Sequence, residues 1–463
     1  MAGRIAAMSE AVRPEGNGLG LQTLSPLALD MSLYGVSGLF TLILLQTLGG
    51  APQDIALPLL MLALGTVLPV GMSLCLRAGW PVSRVFELGY GILMVVVVLA
   101  ICRDALPLRP YGDRITRFVE VGYVFPRWLL GMAVATWLHV GLWKFPPIAS
   151  RLPPELSGTD TFTSLLCSLV MAIGTIAILR RWPGRLSVMV PLLTPVWVLF
   201  ATGYTEYYTL VAGAWLACLI WLFEKPLDER SPLAIGAMIG ILPALYVGFA
   251  GLGLIVGLIC LVSRPNRSLV LLGAAAATLA AAIAICWPDG VARYLVSLYS
   301  EMNFGEEHTM FRRYVSHSAS ANSIFFSTAY ALSPSHLGDL AYMATWSGGW
   351  MLGPAIGAAV VVALRQSGTA QLARVLRTDT RIWLALLLAL WQIYYFLFMI
   401  PKAGPTRDVD LFFSTIVTLG FLAGRLLDIT ANPRRSLSIL SALAGSAVVT
   451  AVFLVWIGLP RRP

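Results

Sequence analysis

Apolar runs recur along this chain at about the length of a membrane-crossing helix, with short polar stretches between them. A helix needs about 17 to 25 predominantly apolar residues to traverse roughly 30 Å of hydrocarbon. Runs of that length or somewhat shorter occupy 30–49, 55–77, 84–101, 127–144, 160–179, 186–201, 205–223, 231–245, 247–263, 268–287, 345–364, 381–399, 407–427 and 436–458. Lipid offers the backbone no hydrogen-bonding partner, so such segments must form helices rather than open strands. The pattern predicts an all-α fold, a polytopic helical membrane protein with about 12 to 14 transmembrane helices. Residues 1–29 form a cytoplasmic N-terminal tail and 30–458 a single transmembrane domain, with outer-face loops at 102–159 and 288–344.

Composition narrows the solvent. The chain is 58% hydrophobic and 12% charged, against about 25% charged in a soluble domain, so the bilayer is the solvent that fits. The net charge of +9 arises from short basic clusters between apolar segments, the positive-inside pattern, and not from one basic domain that would read nucleic acid. The six cysteines lie in or at the ends of apolar runs, with no CxxC pair, and read as small core hydrophobes. The polar stretch before residue 30 lacks the charged, apolar and small-residue parts of a cleavable signal, so the first spanning helix is expected to act as the targeting element.

Lysine and arginine set the orientation. Arg180, Arg181 and Arg185 share one loop, Arg264 and Arg267 another, Arg365, Arg374, Arg377 and Arg381 a third, and Arg434 and Arg435 a fourth. With these inside, the turn at Tyr204–Glu206, the loop 288–344 and Pro401–Asp410 fall outside, and the acidic residues collect there. Strict alternation then requires 127–144, which carries Trp128, Trp137 and Trp143, to dip into the membrane or lie at its interface.

Four outer-face groups carry candidate chemistry. Gly112-Asp113 presents a carboxylate on a tight turn, suited to taking a proton from a hydroxyl or holding a divalent cation, or else to capping a helix. Glu206 follows Tyr204-Thr205 at a membrane boundary, where an ionisable group is costly; it is either functional or an acid in the first turn of a helix capped by Thr205. Loop 288–344 holds Arg312 and Arg313, whose guanidinium forks match phosphate or pyrophosphate oxygens, and Glu307-His308, a weak metal pair. It also holds Ser333-Pro334-Ser335-His336-Leu337-Gly338-Asp339, in which His336 and Asp339 share a face if helical, either as part of a site or as a surface pair at the start of a spanning helix. Finally, a Gly/Pro turn delivers Arg407, Asp408 and Asp410 onto the end of a helix, and the spacing of the two acids keeps them from facing the same way.

Taken in order, the Gly-Asp of the first outer loop, the Tyr-Thr-Glu turn, the Ser-Pro-x-His-Leu-x-Asp segment and the late Gly-x-x-Arg-Asp-x-Asp-Leu-Phe turn resemble bacterial polytopic members of the GT-C glycosyltransferase superfamily. The Tyr-Thr-Glu turn is also similar to that of mannosyltransferases using dolichol-linked sugars. The resemblance covers about Tyr111 to Phe413 and departs at Val124-Phe125-Pro126-Arg127, where similar sequences carry an acidic Glu-Pro.

The resemblance implies a GT-C-like fold and an inverting transferase in the bacterial inner membrane. Such an enzyme takes a sugar from a polyprenyl-phosphate donor to a glycan, lipid or protein acceptor. Asp113 falls in the place of the base. Glu206 stands beside it as a catalytic candidate, and Arg312, Arg313, His336, Asp339, Arg407, Asp408 and Asp410 are substrate-binding candidates. A lipid-phosphate leaving group is already anionic, so it needs charge stabilisation more than protonation, and one base suffices where a glycosidase needs two carboxylates. Mg²⁺ or Mn²⁺ is compatible with these carboxylates without being demanded by their spacing. A secondary transporter or lipid flippase is the main alternative, and a glycan polymerase or ligase a further one.

Overall fold

A computed structural model describes short pieces within 74–84 and 334–341 and, with isolated positions excepted, 159–200, 208–286, 380–398 and 412–430. Their regular elements are helices, with no strand among them. The α-helices are α1 (Thr159–Arg181), α2 (Leu186–Leu192), α3 (Tyr208–Glu224), α4 (Pro232–Leu245), α5 (Ala250–Ser263), α6 (Ser268–Cys286), α7 (Thr380–Phe398) and α8 (Phe413–Thr430), with single 3-10 turns at Leu227–Glu229 and Pro265–Arg267. They fall on the apolar runs that begin at 160, 186, 205, 231, 247, 268, 381 and 407. The runs at 30–49, 127–144, 345–364 and 436–458 lie outside the described residues, as does any crossing or dipping of 127–144.

One run behaves differently from the expectation of a continuous helix over 186–201. The α-helix stops after Leu192. Pro191 and Pro195 each lack an N–H, and tight turns follow in which the Thr194 N–H donates to the Pro191 carbonyl at 3.1 Å and the Trp197 N–H to the Thr194 carbonyl at 3.0 Å.

The helices run up and down between two ends. At the first end, α1 and α3 finish and α2 begins: the Trp182 indole N–H donates to Glu224 Oε1 at 2.5 Å, and Arg185 pairs with the same oxygen at 3.6 Å. Pro232, Cys260, Arg267 and Ser268 line one shallow notch there, so α4 and α6 also start, and α5 ends, at this end. Arg180 and Arg181 close α1 where the helix dipole favours cations. Arg230 lies 4.2 Å over the Trp221 ring and donates to the Trp221 carbonyl. Burial lowers its guanidinium pKa, opposed by the charges of Glu224 and Glu229. The arginine clusters at 180–185 and at 267 therefore share one end of the bundle.

Close approach of backbones holds two helix pairs. On α4, Gly236 and Gly240 are four apart and face α6: a Cβ at Gly236 would sit 2.8 Å from the Cβ of Ala274, and one at Gly240 would collide with Thr278 and the Ala275 carbonyl. On α8, Gly420, Gly424 and Asp428 form a stripe at the same spacing against α2. A Cβ at Gly420 would lie 3.2 Å from the Cα of Pro191, and one at Gly424 2.6 Å from that of Ser187. One turn further on, the Asp428 carboxylate accepts the N–H of Leu186 at 2.8 Å and of Ser187 at 3.1 Å. It caps, from more than 240 positions away in sequence, donors that the start of a helix leaves unpaired.

Aromatic packing fills the centre. Trp215 of α3 stacks on Phe249 with centroids 4.0 Å apart, and Phe413 meets both Phe249 and Phe200 at 5.8 Å. Such pairs add about 0.5–1.5 kcal/mol each beyond the area they bury. Cys167 and Cys260 are buried in this packing, as their apolar surroundings in the sequence imply.

Taken whole, no helix among the described residues is long and apolar enough to cross a membrane. The longest, α1, carries Asp160 near its start and two arginines at its end. Nearest is α6, with nineteen residues and no charge; at 1.5 Å per residue it reaches about 28 Å, close to the thickness of the hydrocarbon layer.

Candidate functional site

Opposite the arginine end, α7 finishes and α8 begins. Here the two helices face each other through polar side chains in an otherwise apolar interface. Gln392 is wholly buried, and its Oε1 accepts the Thr415 hydroxyl at 2.9 Å, with Ser414 Oγ at 3.5 Å. Gln392 Nε2 is buried without a hydrogen-bond partner. One turn along α8, the Thr418 hydroxyl accepts the indole N–H of Trp215 at 3.0 Å, which ties α3 into the same seam. Phe412 packs edge-on against Phe396 at 4.9 Å and against Tyr395 at 5.9 Å, closing the apolar side of the junction. The seam is thus bounded by aromatic rings and fixed in register by hydroxyl bonds.

His336 reaches this junction from a different part of the chain. Pro334, His336, Leu337, Gly338, Leu340 and Ala341 are helical. Pro334 fits an early helical position because its missing N–H would have no acceptor there. His336 and Leu340, four apart, are buried, whereas Leu337 and Ala341 are exposed. The imidazole Nε2 lies 2.8 Å from the Leu397 carbonyl, 61 residues on. A carbonyl only accepts, so Nε2 carries the proton and donates. That bond docks the 334–341 segment on the last turn of α7, four residues before Pro401.

Of the catalytic and substrate-binding candidates read from the sequence, His336 alone falls among the described residues. Asp113, Glu206, Arg312, Arg313, Asp339, Arg407, Asp408 and Asp410 lie outside them. Among the described residues no group of three or more His, Cys, Asp or Glu side chains is close enough to hold a metal ion; the carboxylates that could take Mg²⁺ or Mn²⁺ belong to the other set. Sequence reading missed Gln392, Ser414, Thr415 and Thr418. The signal was present, since Gln392 is the one amide in α7 and sits between apolar neighbours. It also missed Asp428, whose role depends on a contact with α2 that no local pattern announces.

Comparison with protein-family models, with curated proteins and with solved structures returns no match for this chain.

Proposed function

We propose that this chain is a polytopic helical membrane protein of GT-C-like architecture, with about 12 to 14 spanning helices. It transfers a sugar, with inversion, from a polyprenyl-phosphate donor to an acceptor on the outer face of the bacterial inner membrane. Two features support the membrane setting. α3, α4, α5 and α6 are apolar on every side, a property of helices enclosed in a large core or in lipid. Their outward residues are nonetheless uncovered: Leu233, Leu254, Val262 and Leu269 are 60% or more exposed, an arrangement that water penalises and hydrocarbon does not. The common location of the 180–185 and 267 arginines fits a cytoplasmic end.

The observation that carries the catalytic reading is the His336–Leu397 hydrogen bond. It joins the Ser-Pro-Ser-His-Leu-Gly-Asp segment to the helix leading into the Arg407, Asp408 and Asp410 turn, at the end away from the arginines. The transferase reading calls for these two motif groups to work together, and the Arg407, Asp408 and Asp410 turn follows α7 directly in the sequence. In this reading Asp113 takes the proton from the acceptor hydroxyl as that oxygen bonds to the anomeric carbon. The carbon–oxygen bond to the carrier phosphate breaks, and Arg407, or Arg312 and Arg313, stabilises the departing phosphate. Glu206 is the second catalytic candidate in this reading.

The test is transfer of radiolabelled sugar from a panel of polyprenyl-phosphate donors in vesicles reconstituted with wild type, Asp113→Asn or Arg407→Gln. Transfer by wild type that is lost in folded Asp113→Asn supports the scheme; undiminished transfer by that variant removes Asp113 from it. A transporter reading has one observation in its favour, the buried Gln392 with its unpaired amide N–H between α7 and α8. Gradient-driven uptake with no transfer from any donor would select it.

A further inference from the structure

The arginine end has a feature that sugar transfer on the opposite face does not use. Arg267 closes the 3-10 turn between α5 and α6, is exposed, and lines a shallow apolar notch with Pro232, Ile235, Cys260, Ser268 and Leu271. Directly below it the outer faces of α5 and α6 are uncovered: Val262 and Leu269 are both 84% exposed, Leu258 53% and Leu272 49%. Leu258 lies one turn before Val262, and Leu272 one turn after Leu269, so the apolar strip runs down both helices away from the guanidinium.

We infer that this strip and Arg267 form a binding site for an anionic phospholipid, its headgroup phosphate on Arg267 and its acyl chains along α5 and α6. Charge complementarity and shape together favour such a ligand. The described charge at this end is mostly basic: Lys225 and Arg181 are exposed there, and Arg185 pairs with Glu224. Three of the acids here have partners or a facing cation. Glu224 holds Trp182 and Arg185, Asp428 caps α2, and Glu229 stands beside Arg230. A free phosphate would satisfy the guanidinium but leave Val262 and Leu269 bare. A zwitterionic lipid would cover the strip but bring a cation to a basic end. Only an amphiphile with net negative charge satisfies both.

This inference rests on the membrane reading above, and the experiment separates the two. Full-length chain purified in non-ionic detergent is titrated with dioctanoyl phosphatidylglycerol, dioctanoyl phosphatidylcholine and inorganic phosphate, with bound lipid read by native mass spectrometry. Phosphatidylglycerol is expected to bind saturably and the other two not over the same range. Arg267→Gln, at an exposed position that leaves the fold intact, is expected to weaken it about fivefold, the share of one basic residue at an anionic surface. Equal binding of phosphatidylcholine, tight binding of inorganic phosphate alone, or an unchanged Arg267→Gln would each overturn the site. Carbonate washing of membranes from expressing cells supplies the second arm: wild type that washes off sinks the membrane reading itself. Wild type that stays while Arg267→Gln binds phosphatidylglycerol normally sinks the lipid site alone.

Discussion

Replacing Asp428 with Ala tests the least local contact in the fold. Its two oxygens accept the N–H groups of Leu186 and Ser187 at 2.8 and 3.1 Å, the first donors of α2. A hydrogen bond to a charged group contributes about 1.5–3 kcal/mol when removed from a well-enclosed site, and an N-cap about 1 kcal/mol in more open ones. The site is partly buried, so the lower end of the first range applies to each bond, giving about 3 kcal/mol for the pair. Asp428→Asn keeps one accepting oxygen and should lose about half of that. Because Gly420 and Gly424 already hold α2 and α8 in backbone contact, the helices cannot easily re-space to recruit another partner for the orphaned donors. The assay is equilibrium unfolding of the purified chain in mixed micelles, following tryptophan fluorescence; Trp197 and Trp215 are fully buried reporters. An Asp428→Ala variant within about 0.5 kcal/mol of wild type, the spread of ordinary surface substitutions, would refute the capping argument.

Other expectations follow from the same contacts. Gly240→Leu places a side chain into Thr278 and the Ala275 carbonyl, so α4 must withdraw from α6 at a cost of about 1–3 kcal/mol or more, visible in the same unfolding assay. Thr418→Val keeps the shape but leaves the buried Trp215 indole N–H without its acceptor, an expected loss of about 1–3 kcal/mol; a neutral result would mean the seam is not held by that bond. His336→Ala removes the donor to Leu397, and is expected to raise protease cleavage within 334–341 more than His336→Gln, whose amide can still donate. Equal cleavage in the two variants would separate the docking of this segment from the hydrogen bond.

The helices were legible because an apolar run carries its own length. Ser268–Cys286 and Thr380–Phe398 begin and end within one residue of the runs that predict them. The break after Leu192 was written in Pro191 and Pro195, yet the run is apolar throughout, and hydropathy reads across it. What holds helix to helix was less accessible. Gly236 with Gly240 and Gly420 with Gly424 have the small-residue spacing that permits close approach, but which partner each pair meets depends on the whole bundle. His336 was readable as a candidate from its polar neighbours. Its attachment to Leu397 was not, because a side chain-to-carbonyl bond across 61 residues leaves no trace in local pattern.

The central claim is that the arginine end and the His336 end lie on opposite sides of a bilayer. Leu337, exposed beside His336, and Asn266, exposed in the turn before α6, are placed to test it. Each would be changed to cysteine in turn, in a chain whose six native cysteines are replaced, and exposed to a membrane-impermeant maleimide on intact spheroplasts and after lysis. The account predicts that Leu337→Cys reacts before lysis and Asn266→Cys only after it. Reaction of both before lysis, or of both only after it, would contradict the account.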